Sequence, residues 1–282
     1  MSQKCKYIGI DGTVIKFGYG NGLYLGQGDL RDYAYTIYSP FDKILGFETE
    51  TKQKQVNLYI KTNQASTSLR NEVFEAFEKD IEYKNSHPFT EKSGRLYIGD
   101  YYLNCFVIAA ANDSFLARRN LLKKQLTLIC ENPKWMREIQ YSFTSNEAPE
   151  SGKKYPFKYP YAYGAELAGA VLNNESFTES DFIIVFTPLK EKTISNPYIK
   201  IGENIYSFNF MLNSNQRLIL NSSSESVVLK DEKGNQSDAL YLRNKSNDIF
   251  KKIKPGENEI SLSANTKVEI SLIEERGEPK WT

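Results

Sequence analysis

A single amphipathic helix in a chain otherwise rich in strand patterns is the feature that most limits the fold. Apolar residues recurring every four positions predict a helix over residues 67–85 with one apolar face. These residues are Leu69, Val73, Phe74, Phe77 and Ile81. Ser66–Ser68 offer N-cap hydroxyls, and the helix has to end before Pro88. Because an isolated helix of this length is marginal in water, it needs a sheet to cover.

Strand patterns occur on both sides of this helix. Val56–Ile60 precede it, and Arg95–Ile98 and Tyr101–Ala109 follow it, joined by a tight turn at Gly99-Asp100. Further strands are predicted at residues 6–10, 13–17, 34–38, 44–49 and 126–130. The part of the chain before residue 148 is therefore predicted to be an α+β domain with one helix.

The composition changes after Thr144, where a polar stretch leads into the aromatic and proline-rich segment Tyr155–Tyr163. Proline disfavours a regular central strand, so this segment is interpreted as a connector. We therefore predict two domains, residues 1–148 and 149–282. Beyond the connector, short strands alternate apolar and polar residues between turn signals, which is typical of an antiparallel β-sandwich. The predicted fold class is mostly β.

Charge and cysteine content exclude several classes of protein. The formal net charge is +1, which gives no global attraction to nucleic acid. No apolar stretch is long enough for a membrane span, and no apolar signal core follows the first residues, so neither membrane insertion nor signal-directed secretion is expected. Cys5, Cys105 and Cys130 are widely spaced and odd in number, which indicates reduced, partly buried thiols.

The residues expected of an active site or a cofactor site are missing from the sequence. The one histidine, His87, lies before a proline and has no nucleophile motif beside it, so it is interpreted as a surface residue. Histidine and cysteine are not clustered as in zinc sites. A hidden carboxylate pair, as in glycosidases, stays open, but nothing selects one. We predict no catalytic, metal-binding or cofactor-binding residues.

Two loop regions of the first domain are candidates for contacts with other proteins, because apolar loop residues rimmed by polar ones are typical of interfaces. They are Tyr19–Leu25, within a glycine-rich stretch, and Phe41–Leu45. The candidate contact residues are Tyr19, Tyr24, Leu25, Phe41, Ile44 and Leu45. The alternative is that Phe41, Ile44 and Leu45 pack into their own domain.

Several stretches along the chain resemble the distal tail protein family of long-tailed bacteriophages. Phe77–Asp80 followed by Gly94–Phe106 is similar to the helix and paired strands of that family. Glu131–Trp135 is similar to the segment closing its N-terminal domain, and Asn196–Gly202 and Ile253–Ile260 are similar to stretches of its C-terminal domain. The order and spacing of these segments carry the resemblance.

The resemblance implies a ring-forming N-terminal domain and a galectin-like C-terminal sandwich in a structural protein of the virion tail, synthesised in the host cytoplasm. Six copies would form a ring through which DNA passes. The expected partners are the tail tube protein, the tail-associated hub or fibre protein and receptor-binding proteins. The alternative is a carbohydrate-binding module for cell-wall saccharide, using Tyr161, Tyr163, Tyr198 or Tyr206 to stack on sugar rings.

Overall fold

The computed structural model describes residues 4–39, 43–49, 53–62, 64–116, 120–145 and 167–280. Antiparallel strands dominate it, which confirms the mostly β fold class. The chain divides into two compact units, here called the first unit (residues 1–137 and 275–282) and the second unit (residues 138–274). The predicted boundary at 148/149 and the connector Tyr155–Tyr163 lie outside the described residues, so both stay predictions.

The described residues of the first unit form one α-helix, a short 3-10 helix (Tyr19–Asn21) and the strands up to the start of the tenth. In chain order the elements are β1 (Cys5–Ile8), β2 (Val14–Phe17), β3 (Leu23–Gly28), β4 (Tyr35–Tyr38), β5 (Gly46–Thr49), β6 (Gln53–Lys61), α1 (Gln64–Ser86), β7 (Gly94–Ile98), β8 (Tyr101–Leu116), β9 (Leu121–Ile129) and β10 (Trp135–Thr144), the last of which continues into the second unit. β8 joins two antiparallel strand sets, in the orders β2-β1-β7-β8 and β3-β6-β9-β8.

The helix α1 packs against these strands through the apolar stripe that the sequence predicts. Val73 and Phe77 are buried in one core with Leu58, Leu103 and Trp135. The helix begins at Gln64, three residues earlier than predicted, so Ser66–Ser68 are helical residues and not the N-cap position. Glutamine and alanine are good helix formers, which accounts for the extra residues at its start.

The second unit is a β-sandwich, as predicted. Its elements are β11 (Leu167–Asn174), β12 (Asp181–Pro188), β13 (Ile194–Ser195), β14 (Tyr198–Ile201), β15 (Asn204–Ser207), β16 (Met211–Leu212), β17 (Arg217–Asn221), β18 (Ser226–Lys230), β19 (Gln236–Asp238), β20 (Gly256–Leu262) and β21 (Thr266–Arg276). Strands β19-β18-β17-β12-β21 and β11-β20-β14-β15 form its two antiparallel strand sets. Alternate residues of both sets, such as Phe182, Phe186 and Ile260, are buried in one shared core.

The β8–β9 hairpin is longer than the sequence pattern suggests. The prediction ended the first strand at Ala109 and began the second at Leu126, whereas β8 extends to Leu116 and β9 begins at Leu121. From Ser114 onward the β8 side chains are exposed, so burial does not impose the alternation by which a strand is recognised. The three cysteines are free thiols, and Cys105 and Cys130 are buried, as predicted.

Candidate protein-interaction surface

The β4–β5 hairpin of the first unit carries an exposed apolar surface. Among the described strands they pair with each other and with no third strand, with Ile37 opposite Phe47 and Tyr38 opposite Gly46. Because opposite residues in an antiparallel pair share a face, Tyr35, Ile37 and Phe47 lie on one side, here called the hairpin face. All three are exposed, and Phe47 keeps 63% of its accessible surface. The hairpin face is therefore apolar and open to solvent.

The loop that leads into the hairpin is fixed to the first unit by buried hydrogen bonds. Lys54, at 2% exposure, donates from Nζ to the backbone oxygens of Asp32 (2.6 Å) and Asp29 (3.3 Å). The indole Nε1 of Trp135, which is fully buried, donates to the backbone oxygen of Leu30 at 3.0 Å. Burial lowers the pKa of Lys54, and the nearby Asp29 and Asp32 oppose that shift. The hairpin thus extends from an ordered base.

Of the region predicted at Phe41–Leu45, the described residues Ile44 and Leu45 lie directly before β5. Ile44 and Leu45 keep 61% and 64% of their accessible surface, so the alternative that they pack into their own domain is wrong for these two. Phe41 lies outside the described residues. Whether Ile44 and Leu45 contact another protein stays a prediction.

The second predicted region, Tyr19–Leu25, forms a ladder of aromatic rings. Tyr19 stacks on Tyr24 with ring centroids 4.3 Å apart, and Tyr24 stacks on Tyr59 at 5.0 Å. Gly26 allows this arrangement, because a Cβ atom there would lie 2.3 Å from the Tyr59 ring. Tyr19 is exposed, whereas Leu25 is half-buried and packs against the core of the first unit. Leu25 is thus less available for contact with another protein than Tyr19.

Sequence reasoning assigned β4 and β5 as strands but missed the hairpin face. Tyr35 and Ile37 alternate with Thr36, a pattern that normally marks a strand covering a core. The sequence pattern does not show how many strands pair with β4 and β5. A two-stranded hairpin on its own has too little around it to bury its apolar side. Tyr33, which contacts Tyr35 edge-on at 5.7 Å between ring centroids, was missed for the same reason.

The described residues contain no cluster of three or more metal-ligating side chains, and none of their helices is long and apolar enough to cross a membrane. His87 lies at the surface, and its ring stacks on Tyr83 at 4.4 Å. For the saccharide alternative, Tyr206 is fully buried and donates to the backbone oxygen of Lys251, so it cannot stack on a sugar. Tyr198 is half-buried, and Tyr161 and Tyr163 lie outside the described residues.

By sequence the chain matches no protein-family model and no curated protein. By structure it is similar to the Dit protein of phage SPP1, described as a paradigm of the hub adsorption apparatus in phages that infect Gram-positive bacteria. The identity is 11% and the TM-score 0.54, over 95% of this chain and 98% of that chain. The chain has the Dit fold. At this level of identity, the likeness is one of fold.

Two further structures share the Dit fold of this chain. A chain of the phage p2 baseplate, in its activated conformation with strontium, has 10% identity and a TM-score of 0.59 over 98% of this chain and 99% of that chain. A chain of the same baseplate with calcium has 11% identity and a TM-score of 0.55 over 99% of this chain and 100% of that chain. The resemblance to distal tail proteins drawn from the sequence is thereby confirmed.

Proposed function

We propose that this chain is a structural subunit of a phage tail tip, whose first units assemble into a closed hexameric ring. The ring joins the tail tube protein to the tail-associated hub or fibre protein, offers attachment to receptor-binding proteins and leaves a central passage for DNA. The observation that carries this proposal is the exposed hairpin face, on an ordered base, in a protein with the Dit fold.

An exposed hairpin of this kind is suited to contact a second protein. A two-stranded hairpin with an apolar side is marginally stable in water when nothing covers it. Its base is held by Lys54 and Trp135, so its position is set before a partner arrives. Such preorganisation lowers the entropic cost of association. A protruding element that packs on a different surface of the next copy makes a heterologous contact, which closes into a ring when the rotation allows.

The function we propose does not require the protein to catalyse a reaction. The subunit acts through the surfaces that it presents, and the described residues contain no cluster of three or more metal-ligating side chains. The near-zero net charge fits a protein that binds other proteins rather than a polyanion. Tyr206 is buried, so it is not available to stack on a sugar ring as the saccharide-binding alternative requires.

Light scattering coupled to size-exclusion chromatography, together with negative-stain electron microscopy, tests the proposal on the full chain, alone and with its tail tube and hub partners. We expect rings with six copies. Ile37→Asp and Phe47→Asp should abolish them, because each places a charge on the hairpin face. Tyr241→Asp is the control, since Tyr241 is more solvent-exposed (75%) than Ile37 (54%) or Phe47 (63%) but lies in the second unit. Monomers at high concentration with every partner, or rings formed equally well by the hairpin variants, would contradict the proposal.

A further inference from the structure

An apolar groove of about 400 Å³ lies between α1 and β8 in the first unit. Phe74, Phe77 and Ile81 of the helix line one side, and Val107 and Ile108 of β8 line the other. Phe77 belongs to the core, whereas Ile108 is half exposed, so the groove continues the core toward solvent. Grooves of this size hold more than one large side chain. The surface is thus suited to an apolar occupant.

Among the described strands, one edge of β8 beside this groove has no partner beyond Cys105. Tyr102 has Tyr97 of β7 on one side and Met136 of β10 on the other, which places β7 and β10 at opposite edges. β9 pairs with β8 from Phe106 onward and occupies one of its edges there. The pairing with β7 ends at Cys105, and no other described strand takes its place. Free backbone donors and acceptors along an edge can pair with an incoming strand.

A β-bulge in β8 lies beside the groove. The pairing register between β8 and β9 shifts between Val107 and Ala109, so Ile108 is the extra residue. Bulges redirect a side chain and increase the local twist. The rim of the groove is acidic, because Glu78 and Glu82 are exposed beside it. An occupant with apolar side chains on a strand and a cation nearby fits this groove.

The β4–β5 hairpin has these properties. It offers strand backbone, the apolar hairpin face and the exposed Lys43 at its turn. We infer that the hairpin of one copy docks in the α1–β8 groove of the next, with the hairpin face over Phe74 and Ile81 and with Lys43 near Glu78 and Glu82. This inference rests on the proposed ring, and it names the two surfaces that close it. Both surfaces belong to the same unit, so each copy gives one and receives one.

Cysteine cross-linking in the full chain tests this contact. Ile37→Cys and Ile108→Cys in one chain, treated with a short bismaleimide, should give a ladder of covalent species up to six copies. Each single variant is the control, because the buried Cys105 and Cys130 and the half-buried Cys5 are common to all. Rings visible by microscopy without a ladder above the controls would overturn the groove contact and leave the proposed ring standing. Absence of rings from the wild-type protein with its partners would overturn both.

A charge exchange provides a second readout that does not depend on linker geometry. Lys43→Glu should raise the protein concentration needed for assembly by at least about tenfold, because like charges across an interface repel. Adding Glu82→Lys to that variant should restore assembly, whereas adding Glu75→Lys, an exposed position on α1 that does not line the groove, should not. Equal rescue by both lysine substitutions, or by neither, would contradict the docking of this hairpin in this groove.

Discussion

The hydroxyl group of Tyr7 on β1 donates a 2.5 Å hydrogen bond to Oδ2 of Asp80 on α1. The backbone N–H of Ile10 donates to the other carboxyl oxygen at 2.8 Å, and the side chains of Tyr7 and Asp80 are both buried. Burial raises the pKa of the Asp80 carboxyl, although the hydrogen bonds from Tyr7 and Ile10 act in the opposite direction. This polar contact fixes the helix against β1 inside an otherwise apolar core.

Asp80→Asn should change the pH dependence of stability. A carboxyl whose folded-state pKa is raised contributes stability that is complete below its ordinary value, 3.8, and is lost as the pH rises through the raised value. The neutral amide does not titrate. The free energy of unfolding of the variant, relative to wild type, should therefore increase from acid to neutral pH in urea titrations. The pKa of Asp11 is lowered, mainly by the backbone N–H of Thr13, so Asp11→Asn should show the opposite trend. A pH-independent difference for Asp80→Asn would contradict this prediction.

Gly94→Ala should strongly destabilise the first unit. A Cβ atom at this position would lie 1.8 Å from the Tyr7 hydroxyl oxygen and 2.5 Å from Oδ2 of Asp80, both of which are fixed by their hydrogen bond. Overpacking of a core typically costs about 1–3 kcal/mol, and sometimes more. Gly46→Ala is the control, since nothing lies within 4 Å of the added atom. Equal urea midpoints for the two variants would show that Tyr7 and Asp80 can move away from the added methyl group without loss of stability.

Lys54→Met should release the loop at the base of the hairpin while keeping an apolar stem of similar length. The backbone oxygens of Asp29 and Asp32 would each lose a hydrogen bond from a charged donor, worth about 1.5–3 kcal/mol. Hydrogen–deuterium exchange of residues 29–38 should accelerate more than that of β9. Lys61→Met, at an exposed position on the same strand, should leave the exchange of these residues unchanged. Unaltered exchange in Lys54→Met would contradict the role assigned to Lys54.

Asn174→Ala should destabilise the second unit. The buried Asn174 amide donates to the backbone oxygen of Ile253 at 2.9 Å and accepts from the Ser176 N–H and the Ser180 hydroxyl. Each buried group left without a partner costs about 1–3 kcal/mol. Asn173→Ala changes an exposed side chain of the same strand and should be nearly neutral. Thermal unfolding compares the two, and similar midpoints would contradict the assigned role.

Much of the fold could be predicted from the sequence, because the side chains buried in strands and helices recur at regular spacings along it. Alternation identified strands such as β6 and β12, and the four-residue spacing identified α1. The same patterns held two further signals that were overlooked. Lys54 occupies a buried position in the alternation of β6, and Asp80 lies seven residues after Val73 on the buried face of α1. A charged residue at an inward position indicates a partner across the core.

The hairpin face could not be predicted in the same way, because a local pattern does not reveal how many strands will pair or what will cover them. Tyr35 and Ile37 have the spacing of a core strand, and only the pairing of β4 with β5 alone shows that they are exposed. The α1–β8 groove is equally non-local, since it depends on the pairing with β7 stopping at Cys105, eleven residues before β8 ends. A surface that is exposed because no strand or helix covers it produces no periodic pattern of apolar residues in the sequence.

The last described residues of the chain belong to the first unit. Glu275 pairs with Lys134 at 2.9 Å, Glu278 pairs with Arg31 at 3.4 Å, and Gly277 packs closely on Tyr33. The base of the hairpin is thus completed by residues 275–278, which follow the whole second unit in the chain. During synthesis the first unit therefore lacks part of the support for its hairpin until the second unit has been made. Association of nascent chains through this unsupported hairpin is thereby disfavoured.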